Sequence, residues 1–357
     1  MSDADNQDRQ VGSSPAHIQD PRLAWEARRA FIWAAVIGLT ALSAFMARSL
    51  LIVFGGLVIA TMIDGGSRLL GRVLPIGRSW RVAIVIAGTV IFIMAVGMYA
   101  GTTIAREAAE LPSILQEQVT RAFDWAQANG FSIDGSSVEG FASQLASGVG
   151  TVTRALSGLI GGLTSVILIA FLGIYIALEP RLYERGIAWI LPEDRREEFY
   201  ITASRMGRAL RHLLAGRLFG MLVEGIFTWF MLAAYGVPMA TLLGLITGLL
   251  AFIPNIGAVI AGLLMVLVGF SGGTDMGLYT IFVYFLVQTI DGYVLIPLIA
   301  KRTVDLAPAL VLATQLIMGV LFGILGLALA DPLVAMIKVA LERRSEQYDA
   351  NKNKAEA

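Results

Sequence analysis

Two carboxylates stand inside otherwise apolar runs of this chain, Glu224 within residues 218–235 and Asp291 within residues 278–296. A charge at the middle of a bilayer costs about 2.5–3.5 kcal/mol on insertion scales. Both side chains are therefore expected to face a helix bundle or water, where a carboxylate is an acceptor for a proton or a small cation. Gln288 lies three residues before Asp291, on the same helical face, and the two could jointly offer oxygens to a cation or a polyhydroxylated solute. Asn255 and Gln315 are further amide candidates, each in an apolar stretch broken by proline or glycine. A purely structural reading stands beside each: an amide can cap backbone freed at a kink, and Glu224 can pair with Arg217 one or two turns away.

Other chemistries find no residues to carry them. The chain has no Cys, and its two His, His17 and His212, are too few and too scattered for a multi-His metal site. No Gly-rich loop ends in Lys-Ser/Thr and no His-Glu-x-x-His is present; Gly269-Phe-Ser-Gly-Gly273 lacks the spacing of a nucleophile elbow. The reading is of a protein that is not an enzyme, has no cofactor, and draws on an ion gradient rather than ATP. Twenty-seven basic residues balance twenty-seven acidic ones, which gives no electrostatic argument for a nucleic-acid partner.

The elements that position these residues must be membrane helices. With 56% hydrophobic and 15% charged residues, the chain departs from the roughly 25% charge of a soluble domain. The expected fold is an all-α integral membrane protein of about six to eight transmembrane helices, with two broken or re-entrant segments and a small extracytoplasmic helical module. A polar, disordered tail (1–24) precedes transmembrane helices in 25–105, where apolar runs 30–47 and 50–63 flank Arg48-Ser49 and read as a tight hairpin, and 82–105 as a third span. Residues 106–156 turn polar, with Leu111, Leu115, Val119 and Phe123 at helical spacing, and Asn129-Gly130 as a break. This module packs either on its own membrane domain or on a partner. A span in 157–179 stops at Glu179-Pro180. The arginine-rich, amphipathic segment 180–217 suits the membrane surface, or a solvated linker. The C-terminal transport core covers 218–342, and 343–357 is a polar tail.

Two stretches within the core, 239–270 and 306–341, are too long for one straight crossing. The first carries Pro254 and Gly257, and the second Gly319, Gly323, Gly326 and Pro332; Pro297 ends the span between them. Lys and Arg cluster in the N-terminal tail and in residues 64–81, 180–217 and the C-terminus, which the positive-inside rule places in the cytoplasm together with the N-terminus. Lys301 and Arg302 obey that rule only if 239–270 enters and leaves on one side. Two opposed hairpins meeting near the midplane follow from this, with long kinked crossings as the alternative. Non-helical backbone at that depth is tolerated where it is buried in protein or lines a wet cavity, and paired broken segments point to a transporter site. Gly97/Gly101, Gly216/Gly220, Gly244/Gly248 and Gly319/Gly323 have the spacing of close helix contacts.

Pro254-Asn255-Ile256-Gly257, Gln288-Thr-Ile-Asp291, Pro297, Val304-Asp-Leu-Ala-Pro308 and Leu321-Phe-Gly-Ile-Leu-Gly326 leading to Pro332, in this order, resemble the autoinducer-2 exporter (AI-2E) family of bacterial membrane permeases over residues 25–342. The resemblance implies secondary transport across the bacterial inner membrane by a homo-oligomer, of a small polar solute such as a signal molecule, or of sodium against protons. Asn255 stands where an aromatic is common in that family, Ala258 where proline often follows, and Asp291 where glutamate is frequent. A non-transporting membrane scaffold is the reading from outside the transporter class.

Overall fold

The computed structural model describes residues 21–129, 159–253, 256–295 and 306–356, and every regular element among them is helical. The chain divides into two compact units, Met1–Leu51 and Ile52–Ala357. In the first, apolar side chains such as Phe31, Ile37 and Phe45 are exposed, as lipid-facing residues should be. α1 (Pro21–Leu70) begins in this unit and is helical at every residue from Pro21 to Leu51. The turn expected at Arg48-Ser49 is absent; one Arg and one Ser, neither a helix breaker, do not stop a helix.

The second unit continues with α2 (Arg78–Ala128), α3 (Leu159–Leu178), α4 (Pro180–Ile190), α5 (Glu193–Tyr235), α6 (Ala240–Leu250), α7 (Ile256–Ser271), α8 (Thr274–Ile290), a π-helical turn (Asp291–Leu295) and α9 (Pro308–Glu356). Among the described residues, five helices are long and apolar enough to cross a membrane, or six when α3 and α4 are taken as one bent span. Glu179-Pro180 does end α3, and α4 leaves it at 87°. α2 does not stop at Ala105: it runs on through Pro112 to Ala128, with Asn129 in the turn that follows. The first part of the expected external module is thus the continuation of a span. Its Leu111 and Leu115 are buried in one cluster with Leu242 and Leu243 of α6 and Leu264 and Val268 of α7. It packs on its own membrane domain.

Both broken stretches are helical hairpins. In the first, α7 folds back on α6, and a Cβ on Gly272 would lie 3.3 Å from Pro238, so the chain leaves beside its point of entry. A Cβ on Gly257 would collide with the Leu250 carbonyl; only glycine permits that approach. Pro254 and Asn255 lie outside the described residues. The second hairpin turns at Gly323 (φ 63°, ψ −144°), the one non-helical residue within α9, a backbone conformation that favours glycine. A Cβ on Gly319 would touch Leu327 at 3.0 Å, and Gly326 abuts the Met318 carbonyl, so the arms 308–322 and 324–356 run antiparallel. Gly319 and Gly326 are thus contact points rather than breaks. Pro332, expected as a break, sits inside a helical arm; its missing N–H frees one carbonyl without turning the chain. Pro297, with Lys301 and Arg302, lies outside the described residues.

Candidate functional site

The two hairpins meet on α5. Gly225 of α5 is interleaved with Gly244 and Gly248 of α6: a Cβ on Gly244 would lie 2.5 Å from the Trp229 Cβ, and one on Gly248 would lie 2.8 Å from the Met221 carbonyl. The predicted Gly244/Gly248 contact is therefore realised, whereas Gly97 and Gly101 face open space. Extending this antiparallel register carries the tip of the first hairpin to the level of Leu218. From the other direction, the outer arm of α9 is pinned to α5 at Arg205–Glu346 (2.8 Å) and Arg217–Asp331 (2.7 Å). Eight residues beyond Asp331, the Gly323 tip reaches the level of Gly225. At about 1.5 Å per residue the opposed tips overlap along α5 by roughly 10 Å.

Glu224 lies within that overlap. Its carboxyl group reaches back over Gly220, with Oε1 3.9 Å from where a Cβ would stand on that glycine, as helical side chains lean toward the N-terminus. Opposite it, Asp291 opens the π-helical turn that follows α8. The two carboxyl groups face each other within hydrogen-bonding reach, and the Arg217 guanidinium is close enough to act on both. α5 and α8 are fixed against each other further along by the Tyr279 hydroxyl, which donates to the Met231 carbonyl at 3.0 Å, and by the stacked rings of Tyr235 and Tyr279. Two carboxyl groups so placed can hold one proton or one cation between them, since both cannot carry bare charge at such a distance without cost.

Arg217 has a second face. Its Nη2 donates to Asp331 Oδ2 at 2.7 Å, and Gln315 Nε2 donates to Asp331 Oδ1 at 2.9 Å. Gln315 is fully buried, and its Oε1 has no partner among the described residues. Residues 315 and 331 meet only because Gly323 reverses the chain. A cleft of about 290 Å³ lies between the arms of α9, next to this pair, with Leu310, Thr314, Val334 and Ile337 on its walls and Lys338 and Glu342 toward the Arg-rich end.

Of the residues singled out from the sequence, Glu224 and Asp291 are thus brought together, and Gln315 is joined to them through Asp331 and Arg217. Gln288 is half-buried on α8 and its side chain makes no hydrogen bond among the described residues. Asn255 lies outside them. Asp331 was missed as a ligand because Pro332 drew attention to it as a break. The signal was available: it is a carboxylate in an apolar stretch, as Glu224 and Asp291 are. Arg217, read as a partner of Glu224 alone, sits seven residues before it, two turns away on the same face. Glu107 was also missed. From α2 its Oε2 accepts a hydrogen bond from the Leu242 N–H at 2.8 Å, capping α6 where no local side chain does.

A family model described as AI-2E family transporter matches residues 31–346. Similar proteins include a putative transport protein, YrrI, of Bacillus subtilis strain 168, 26% identical over 54% of this chain and 55% of its own length. The AI-2 transport protein TqsA of Escherichia coli K12 is 29% identical over 54% of this chain and 56% of its own. A putative permease, PerM, of the same strain is 24% identical over 55% and 57%. The matched region spans a little over half the length of these relatives. With its helical hairpins and bilayer-length helices, the chain is a multi-pass bacterial membrane protein and belongs to the AI-2E transporter family.

Proposed function

We propose that the protein is an ion-coupled secondary transporter that exports or exchanges a small polar solute, with the coupling proton or cation held between Glu224 and Asp291. The observation that carries this reading is the carboxyl pair at the overlap of two opposed hairpins, with one arginine facing both the pair and Asp331. When the pair holds its ion, Arg217 is free to bind Asp331 and fasten the second hairpin to α5. When the ion leaves, the bare carboxylates draw Arg217 toward themselves and loosen its hold on Asp331. Ion occupancy would thereby set the position of one hairpin, which is the linkage alternating access needs. The similarity to TqsA, an AI-2 transport protein, supports an autoinducer-2-like solute. The Arg-rich end, carrying Arg68, Arg78, Arg205 and Arg343, faces the cytoplasm by the positive-inside rule.

Purified protein in liposomes tests this. With labelled autoinducer-2 as probe, gradient-driven accumulation in the wild type should fall to background in Asp291→Asn, while solute exchange across equal ion concentrations persists. Equal accumulation by both proteins under an imposed proton gradient would remove Asp291 from coupling.

A second reading, a dedicated sodium/proton antiporter, is favoured by the same facing carboxylates, which suffice for competition between Na⁺ and H⁺. Proton release on sodium addition to liposomes without organic solute would select it. In either reading the chain is a homo-oligomer in the membrane, measurable by native mass spectrometry.

A further inference from the structure

At the end of the bundle where α1 stops and α2 begins, a single carboxylate is surrounded by arginines. Asp64 Oδ2 accepts from Arg68 Nε at 2.7 Å and from Arg211 Nη1 at 3.2 Å, and Oδ1 accepts from Arg78 Nη2 at 3.3 Å. Arg208 lies close enough to Arg211 for the two like charges to repel. Arg81 packs over Gly71, and its Nε is buried without a partner among the described residues. Three guanidinium groups on one carboxylate, with Arg208 beside Arg211, leave a local excess of positive charge among the described residues.

The depth of this cluster is marked independently. Arg78 also donates to the carbonyls of Ala177 and Leu178, at 2.8 and 2.9 Å, the last residues of α3 before the chain turns through 87° into α4. α4 is amphipathic and leaves Trp189 and Ile190 80% and 78% exposed, with Leu182 and Ile187 exposed beside them. A helix perpendicular to a span, with aromatic and aliphatic side chains uncovered, lies in the interfacial plane. Arg78 therefore ties the arginine cluster to headgroup level. Guanidinium groups match phosphate oxygens in geometry and charge.

We propose that this cluster is a binding site for the phosphodiester headgroup of an anionic phospholipid, with Arg68, Arg208 and Arg211 as its ligands and Asp64 as the anchor that keeps Arg68 and Arg211 in place. Its chemistry would also accept free phosphate, but the interfacial depth presents it with lipid.

The test uses the full chain in neutral detergent, with added phosphatidylglycerol, phosphatidylcholine or sodium phosphate. Thermal unfolding and native mass spectrometry are the readouts. Phosphatidylglycerol should raise Tm by several degrees and leave a persistent lipid adduct, whereas phosphatidylcholine and inorganic phosphate should do neither. Arg208→Gln changes a side chain with no hydrogen bond among the described residues, so it should fold normally and bind phosphatidylglycerol about ten-fold more weakly; Arg208→Lys should lose less. Removing an Asp64 ligand, in Arg68→Gln, should weaken binding further. Equal stabilisation by phosphate would make this a free-anion site and overturn the lipid assignment. Undiminished adducts in both glutamine variants would reduce the cluster to general surface charge and overturn the site itself.

Discussion

The two hairpins of the core have the same topology and opposite chemistry. The first, α6–α7, is held by burial: Leu242, Leu243, Met265 and Val268 are almost fully enclosed, glycines let α6 lie against α5 at backbone distance, and Glu107 caps its entrance. The second, α9, is held to α5 by charge, through Arg217–Asp331 and Arg205–Glu346. Around its tip Leu316, Ile317, Val320, Leu321 and Ile324 are exposed. A packed apolar contact has one arrangement, and shifting it costs the whole interface. An ion pair can exchange partners if another charge is near, and here the Glu224–Asp291 pair is. Under the proposed mechanism, the first hairpin is the frame and the second the moving part.

The substitution with the largest expected effect attacks the charge-held hairpin. Arg217→Leu strands Asp331 as a buried, unpaired carboxylate, a loss of about 3–5 kcal/mol. Adding Asp331→Leu should recover most of that stability in detergent unfolding while transport stays absent. If the double variant is no more stable than the single one, the pair does not fasten the hairpin. Next comes the packed hairpin. Gly244→Ala forces a methyl group against the Trp229 Cβ, and overpacking of this kind costs about 1–3 kcal/mol. Lowered Tm with unchanged ion selectivity is the expected signature of a framework residue, and altered selectivity with unchanged Tm contradicts that role. The smallest packing effect belongs to the turn. Gly323→Ala meets no atom within 4 Å, so only the strain of a backbone region open essentially to glycine alone (φ 63°, ψ −144°) remains, about 1–3 kcal/mol. Because that strain sits at the tip of the moving arm, transport rate should fall more than global stability, as separate flux and unfolding measurements would reveal.

Much of this arrangement was legible in the residues. Overlong apolar stretches with glycine or proline near the middle announced the hairpins, because a bilayer sets the length of a crossing. Carboxylates in apolar runs announced Glu224 and Asp291. Partner choice was not legible. Arg217 is seven residues from Glu224 and 114 from Asp331, yet its hydrogen bond goes to the distant one, because the outer arm of α9 packs on α5. Pro332 was over-read, since proline within a membrane helix frees a carbonyl without dictating a turn. Arg48-Ser49 was over-read in the same way, as polarity alone does not end a helix. The continuation of α2 past Ala105 was hidden by the change in composition where a span emerges from lipid, which marks solvent rather than a helix end.

That continuation has a mechanical side. At about 1.5 Å per residue α2 is roughly 75 Å long, more than twice the ~30 Å of hydrocarbon in a bilayer. Part of it therefore stands outside the oil as a stiff rod, and Glu107 fastens it to the mouth of α6. An antibody or designed binder gripping the exposed shaft would have a lever on the first hairpin, and under the proposed mechanism would slow transport from outside the membrane.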